Sequence, residues 1–316
     1  MTSINIKNLS KSYGDTHAVQ HLSLEVKKGE LFGLIGPDGA GKTTVFRMLT
    51  TLLLPDEGTA SIEGWDIVKD YKEIRKHVGY MPGRFSLYQD LTVEENLSFF
   101  ATVFGTTIAE NYDLIKDIYE QIKPFSNRRA GKLSGGMKQK LALCCALIHK
   151  PKVLLLDEPT TGVDVVSRKE FWEMLKKLKE QGISILVSTP YMDEASLCDR
   201  IALIQSGKVL STSTPEQIIA QYPTALYAIK APDLYALLKH LREHPNIDSC
   251  YPFGEYLHVT LKENTNIPIF EQQLKTTFPH LEWKAIIPTI EDSFIRLMEG
   301  DVGANGNSPS PNIDKL

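Results

Sequence analysis

The sequence predicts an α/β domain followed by a small α+β domain, and three observations carry that expectation. Up to about Tyr222, short β-rich runs alternate with amphipathic helical runs, the order from which layered α/β domains are built. Two of the runs, 153–156 and, but for Ser184, 183–187, are apolar, as parallel strands covered on both faces are expected to be. From Ala225 onward the elements follow the order β-α-β-β-α-β, the split βαβ or ferredoxin-like arrangement.

In chain order, the first part offers strands at 4–9, 22–26, 31–35, 78–81, 153–157, 183–188, 200–204 and 208–211. A helical run, 42–53, follows the third strand, and apolar residues at helical spacing place helices at 94–103, 112–122 and 137–149. The segment 87–150 is therefore a mostly helical insertion between strand-bearing regions. The second part offers strands at 225–229, 247–251, 256–261 and 281–287, helices at 232–241 and 269–277, and a last helix at 290–298 after Pro288. Domains are expected at 1–222 and 223–299. The stretch 300–316, with its Gly, Asn, Ser and Pro and little to bury, is expected to be a disordered tail.

Composition excludes several classes of function. The chain has 316 residues, with 35 Lys plus Arg against 39 Asp plus Glu and a formal net charge of −4, so no basic excess exists to grip a nucleic-acid backbone. Apolar residues at 42% and charged residues at 23% are ordinary for a globular chain and exclude extensive disorder. No apolar run approaches the roughly 18 residues that suggest a membrane span, and residues 1–10 lack a signal pattern. Cys144, Cys145, Cys198 and Cys250 show neither CxxC spacing nor a disulfide framework. The expectation is a soluble, cytosolic chain.

Gly36-Pro37-Asp38-Gly39-Ala40-Gly41-Lys42-Thr43 fits the pattern GxxxxGK[ST], directly after one apolar strand and at the opening of a helix. Glycines let successive backbone N–H groups turn toward an anion, and the helix N-terminus adds its positive end. Lys42 would reach the β- and γ-phosphates and the Thr43 hydroxyl would hold Mg2+. The strand 153–157 ends in the carboxylates Asp157 and Glu158. In a phosphate-loop protein such an Asp holds Mg2+ through water, and the Glu after it can polarise the attacking water.

Between these motifs lies Leu133-Ser134-Gly135-Gly136-Met137-Lys138-Gln139, which matches the LSGGQ-type signature and resembles the ATP-binding subunits of ABC transporters. Around it, Asp157-Glu158-Pro159-Thr160 is similar to the second Walker motif and Gly162-Val163-Asp164 to the loop after it. The resemblance covers about residues 4–222. It implies a phosphate-loop NTPase, an ABC ATPase cassette with its helical subdomain at about 87–150, using ATP and Mg2+. It further implies that Tyr13 stacks on adenine and that Gly36 to Thr44 cradle the phosphates, with Thr43 and Asp157 at Mg2+ and Glu158 as the catalytic base. Ser134, Gly135 and Gly136 would face the γ-phosphate held by another subunit across a head-to-tail dimer that ATP closes. The implied partners are an integral-membrane permease and a second cassette, not nucleic acid, at the inner face of the cell membrane.

Tyr80-Met81-Pro82, the run 91–97 and Pro288-Thr289-Ile290-Glu291-Asp292-Ser293-Phe294 look like drug- and lipid-exporter ATPases, above all the first cassette of tandem exporter ATPases. Two positions depart from the family pattern. Gly83 stands where a Gln contacts Mg2+ and the attacking water, and Pro190 stands where a His bonds the γ-phosphate. Glycine offers no side-chain ligand and proline lacks even the N–H. The expected site binds ATP but is degenerate for hydrolysis, which favours a paralogous partner cassette over a second copy. The alternatives are an ATP-binding regulatory module with little turnover or a soluble non-transport member of the family.

Overall fold

The structure is a computed structural model that describes residues 1–305, with side chains to Met298. Two long strands, β1 (Thr2–Tyr13) and β2 (Thr16–Lys27), alternate buried aliphatic and exposed polar residues and pair antiparallel. With β4 (Glu57–Ile62) and β5 (Trp65–Asp66) they form a four-stranded sheet in the order β2-β1-β4-β5. The apolar strands β3 (Leu31–Ile35), β6 (Val78–Met81), β7 (Val153–Asp157), β8 (Ser184–Thr189) and β9 (Arg200–Gln205) make a second sheet, parallel throughout, with β10 (Lys208–Ser213) antiparallel on its edge. Its order is β10-β9-β3-β8-β7-β6. One core joins the two sheets around α1 (Lys42–Leu49), with Phe46, Met48 and Leu49 fully buried.

Strand register positions the site. Ile35 lies beside Thr189, and Asp157 beside Ser188. The residues that follow β3, β7 and β8 therefore leave the same edge of the sheet side by side, where open α/β sheets bind ligands. The remaining helices of this part are α2 (Tyr71–His77), α3 (Val93–Val103), α4 (Tyr112–Ile122), α5 (Gly135–Leu147), α6 (Val165–Glu180), α7 (Met192–Ala195) and α8 (Pro215–Ala220). α3 starts on a capping box: the Thr92 Oγ1 accepts from the Glu95 N–H, and the Glu95 carboxylate accepts from the Thr92 N–H.

Several expectations need correction. The helix expected over 42–53 stops at Leu49, where the Thr50 hydroxyl donates to the Phe46 carbonyl and Thr51 turns left-handed at φ 61°. Strands β4 and β5 were not expected, because Glu57–Ile62 has apolar residues only at Ala60 and Ile62. Its Gly58, at φ 81°, sits where a Cβ would strike the Asn8 carbonyl at 2.2 Å. α6 is a further addition, burying Phe171, Trp172, Met174, Leu175 and Leu178. The expected tail at 300–316 begins as helix, because α11 (Ile290–Asn305) continues past residue 300; residues 306–316 lie outside the described residues.

The described residues divide into two compact units, 1–218 with 297–305, and Ile219–Arg296. In the second, β11 (Leu226–Lys230), β12 (Ile247–Phe253), β13 (Tyr256–Leu261) and β14 (Glu282–Ile286) form an antiparallel sheet in the order β12-β13-β11-β14. α9 (Leu234–Glu243) and α10 (Ile267–Thr277) contribute Leu237, Leu241, Phe270 and Leu274 to its core. This is the ferredoxin-like order.

α11 opens on Asp292, which is fully buried. One carboxylate oxygen accepts from the Thr289 N–H and hydroxyl at 2.6 Å each, closing a capping box. The other accepts from the Tyr251 hydroxyl at 2.8 Å and meets His258 Nδ1 at 2.6 Å. Burial pushes this carboxyl up, but the His258, Thr289 and Tyr251 hydrogen bonds outweigh burial and hold it below the usual range. Asp292→Ala would leave these donors unpaired, at a cost of about 3 kcal/mol. Native-state hydrogen exchange of the β13 amides is expected to speed up by roughly two orders of magnitude, with the β3 and β7 amides unchanged.

Candidate functional site

The loop between β3 and α1 is shaped by contacts that only glycine permits. A Cβ on Gly36 would lie 2.2 Å from the Ile204 carbonyl oxygen, and one on Gly41 would lie 2.2 Å from the Ala18 carbonyl oxygen. Gly41 also turns left-handed at φ 103° to enter α1, and Gly39 does so at φ 79°. Asp38 and Gly39 face solvent, Pro37 is half-buried and Ala40 is buried, its N–H donating to the Pro37 carbonyl. The first N–H groups of α1, from Lys42 through Thr43 and Thr44, begin a helix and so have no partner within it. Thr43 and Thr44 are half-buried.

The Lys42 side chain is 2% exposed. Its ammonium donates to the Gly36 and Pro37 carbonyls at 2.7 and 2.9 Å and pairs with Glu158 Oε1 at 3.1 Å. Glu158 leaves β7 in a left-handed conformation, φ 50°. Its N–H is fixed by the Ser188 hydroxyl at 2.9 Å, which in turn donates to Asp157 Oδ1 at 2.7 Å. The structure thus brings Gly36–Thr44, Asp157 and Glu158 together. Tyr13 ends β1 and pairs with Thr16 at the hairpin whose Ala18 touches Gly41; the residue is 46% exposed, which leaves it open for stacking. A cradle with no room for a Cβ, a buried ammonium and a carboxylate pair suit a nucleotide phosphate. Thr43 and Asp157 are the residues that would hold Mg2+.

Ser134, Gly135 and Gly136 lie elsewhere. Ser134 caps α5 by accepting from the Met137 N–H at 3.3 Å. A Cβ on Gly135 would meet the Gly162 carbonyl at 3.5 Å, and one on Gly136 would strike the Ser167 Oγ at 2.5 Å. The signature therefore packs on the start of α6, whose cap is Asp164, and not on the cradle of its own chain.

At position 83 a Cβ would sit 3.0 Å from the Asp157 carbonyl oxygen, so the missing side chain is one that would stand at the site. Gln89 does not fill in for it: its side chain lies beside Gly131, with Oε1 3.7 Å from where a Cβ there would sit, and its main-chain carbonyl accepts from the Gly131 N–H. Tyr191, next to Pro190, lies under the Arg168 guanidinium at 4.2 Å. Sequence reasoning missed a buried node here. The Glu194 carboxylate, 2% exposed, accepts from the Thr160 and Thr189 hydroxyls and from Arg168 Nε at 3.0 Å. It ties the segment after Glu158 to the end of β8 and to α6. The available signal was polar side chains in otherwise apolar runs.

A groove of about 480 Å³ opens between the segment after β6 and helices α3 and α5. Phe85 and Leu87 line it, although Leu87 is nearly buried. Tyr88 lies outside the lining, half exposed, its ring edge-on to Phe99 at 4.9 Å.

Residues 19–161 match the ABC transporter family. A Nod factor export ATP-binding protein I of Burkholderia lata is 37% identical over 84% of this chain and 91% of its own length. The chain belongs to the ABC transporter family of ATP-binding proteins. A probable multidrug ABC transporter ATP-binding protein of Escherichia coli, YbhF, is 44% identical over 70% of this chain, and the match spans only 38% of that longer protein. Among solved structures, an ATP-binding subunit of an ABC transporter superposes with a TM-score of 0.63 at 28% identity, covering 70% of this chain and 93% of its own. A dimeric post-hydrolysis cassette bound to ADP and Pi superposes at 0.61, with 28% identity, over 67% of this chain and 98% of its own. No helix among the described residues is long and apolar enough to cross a membrane.

Lys42 supplies a full positive charge to a cradle lined by backbone N–H groups. Lys42→Ala is expected to weaken Mg·ATP binding by at least roughly 100-fold in calorimetry while the circular dichroism spectrum is retained.

Proposed function

We propose that this chain is the ATP-binding, energy-coupling subunit of an ABC exporter, working on the cytoplasmic face of the membrane with an integral-membrane permease and a second cassette. The observation that carries the reading is the separation of two half-sites in one chain. Lys42, Asp157 and Glu158 gather at the strand ends, while Ser134–Gly136 open α5 against Gly162 and Ser167. Each nucleotide then needs the cradle of one cassette and the signature of another, so ATP acts as the adhesive of a head-to-tail dimer and its hydrolysis releases the pair.

In this reading Tyr13 stacks on adenine, and the N–H groups of Gly39 and of Gly41 to Thr44 with the Lys42 ammonium bind phosphate. Bound Mg2+ supplies charge neutralisation between the phosphates, held by Thr43 and, through water, Asp157. Glu158 orients and deprotonates the attacking water. Lys42 must exchange this carboxylate for phosphate as ATP enters, which frees Glu158 for that work. The chain's own site is degenerate: Gly83 and Pro190 remove two preorganised groups, and losing one such donor typically slows chemistry by about 10²–10³. The same two positions favour a second reading, an ATP-binding regulatory cassette with little turnover of its own.

The apolar groove beside Gly83 is the place for a cytoplasmic segment of the permease. Tyr88, exposed at its margin, separates a docking role from a core role. Tyr88→Asp is expected to uncouple ATPase activity from transport in the reconstituted complex with ATP affinity unchanged; loss of folded protein instead would mark Tyr88 as core.

The asymmetry is testable. The isolated chain is expected to hydrolyse ATP slowly and to gain strongly on mixing with a cassette that retains its own Gln and His. In that mixed complex Gly135→Asp should nearly abolish activity, because it sets a carboxylate against the partner-bound γ-phosphate, and Glu158→Gln should be mild. Vigorous hydrolysis by the chain alone, lost on Glu158→Gln, would overturn the asymmetric reading.

A further inference from the structure

We infer that the loop between α4 and α5 carries an anion site of its own, apart from the nucleotide cradle, which takes one phosphate group on Arg128, Arg129 and Lys132. The inference goes beyond the exporter reading and does not rest on it. Its first basis is local charge. Residues 123–140 contain Lys123, Arg128, Arg129, Lys132, Lys138 and Lys140 and no Asp or Glu, in a chain whose acids outnumber its bases. Three of these cations are already engaged. Lys123 pairs with Glu120 at 2.8 Å, Lys140 pairs with Glu170 at 2.7 Å, and the Lys138 ammonium lies over the Phe85 ring at 5.5 Å. The other three line one open concavity of about 390 Å³, together with Pro124, Phe125 and Asn127. All three are exposed, and none is in an ion pair with a described residue. Arg129 is within electrostatic reach of Glu95, but that carboxylate already accepts the Thr92 N–H at 2.7 Å.

The backbone holds these side chains together. A 3-10 turn over Lys123–Phe125 precedes the two arginines, and another over Ala130–Lys132 follows them. The Arg128 N–H donates to the Phe125 carbonyl at 2.8 Å, and the Arg128 carbonyl accepts from the Val93 N–H at 3.1 Å. The Ala130 N–H donates to the Leu91 carbonyl at 2.8 Å, and Arg129 forms an antiparallel bridge with Thr92. The loop is thus laced to the start of α3, and three like charges are kept on one surface by main-chain bonds. The Arg128 guanidinium also lies over the Phe125 ring at 4.5 Å. Stacking fixes the plane of the guanidinium and keeps its N–H edge for an acceptor in that plane.

Charge and size select the ligand. A carboxylate brings one charge and two oxygens, which a single arginine fork satisfies. A phosphate monoester brings a charge of about −1.5 to −2 and three terminal oxygens, enough to engage both guanidinium groups and the ammonium. A nucleic-acid backbone needs a longer basic stripe, whereas this loop is bonded to the start of α3, where Glu94 and Glu95 are exposed. Lys132 stands two residues before Ser134, the cap of α5, so a phosphate bridging Arg128 and Lys132 would also stiffen the approach to that cap. The phosphate can come from a soluble ester or from a lipid headgroup, and the test separates the two.

The test uses the full-length chain with Lys42→Ala, which silences the cradle, at constant ionic strength set with sodium chloride. Inorganic phosphate, followed by phosphorus NMR, should bind with a Kd of about 1 mM or tighter. Arg128→Gln, Arg129→Gln and Lys132→Gln combined, with the fold checked by circular dichroism, should weaken it by roughly tenfold or more. Lys69→Gln, Lys72→Gln and Lys76→Gln combined, on exposed residues elsewhere, should leave it unchanged. Arg128→Lys alone, which keeps the charge and loses the fork, should fall between. In parallel, the protein is floated with phosphatidylcholine vesicles, with and without about one lipid in five as phosphatidic acid. Flotation that needs the acidic lipid and is lost in the triple loop variant assigns the site to a lipid headgroup. Phosphate binding without flotation assigns it to a soluble ester. Neither flotation nor phosphate binding up to about 10 mM, or binding that persists in the folded triple loop variant, overturns the proposal. Should Lys42→Ala fail to fold, wild type is compared with the triple loop variant, and loss of one of two bound phosphates is the expected result.

Discussion

A lysine ammonium almost wholly removed from water is the constraint around which this cassette is arranged. A buried cation is tolerated only when hydrogen-bonded and paired, and Lys42 finds two loop carbonyls and one carboxylate. The carbonyls are available because the loop curls tightly enough for Gly36 and Gly41 to touch neighbouring backbone. The carboxylate is available because β7 ends beside β8, in a register that puts the Ser188 hydroxyl against both Asp157 and the Glu158 N–H. The two sheets, the hairpin that brings Ala18 to Gly41 and the parallel strand order all serve to hold that charge in place.

Much of this was legible in the sequence, because it is written in local patterns. Short β-rich runs gave β3, β6 and β7 with their observed limits, and the glycine spacing pointed to the cradle. The acidic end of the 153–157 run pointed to Asp157 and Glu158, and the family resemblance pointed to Ser134–Gly136. What was not legible depends on partners far apart in the chain. β4 becomes a strand only because β1 offers it an edge, and its own residues carry little β pattern. Glu194 reads as one more acidic residue of a short helix, and its role appears only when Thr160, Thr189 and Arg168 converge on it. The Pro288–Phe294 motif was legible as a resemblance but not as physics. In the fold its Asp292 is a helix cap and a buried acceptor at once.

The Glu194 node also bears on how the site communicates. It binds the residues after Glu158 to the residue before Pro190 and, through Arg168, to the first turns of the helix on which Gly136 packs. A carboxylate with all its acceptors engaged in low dielectric is stiff. Movement at one of these segments is therefore passed to the others instead of being absorbed locally.

The left-handed backbone of Glu158 leads in another direction. An L-residue in that conformation costs roughly 1–2 kcal/mol, and glycine or asparagine would relieve it. Either replacement would strand the Lys42 ammonium without a counter-charge. The position is thus held by electrostatics against its own conformational preference. For protein engineering this sets a rule: a replacement at position 158 must keep a carboxylate, because even a neutral isostere of the same shape leaves the buried ammonium without its counter-charge. Smoothing the loop with glycine would give a better-behaved backbone around a lysine with nothing to release.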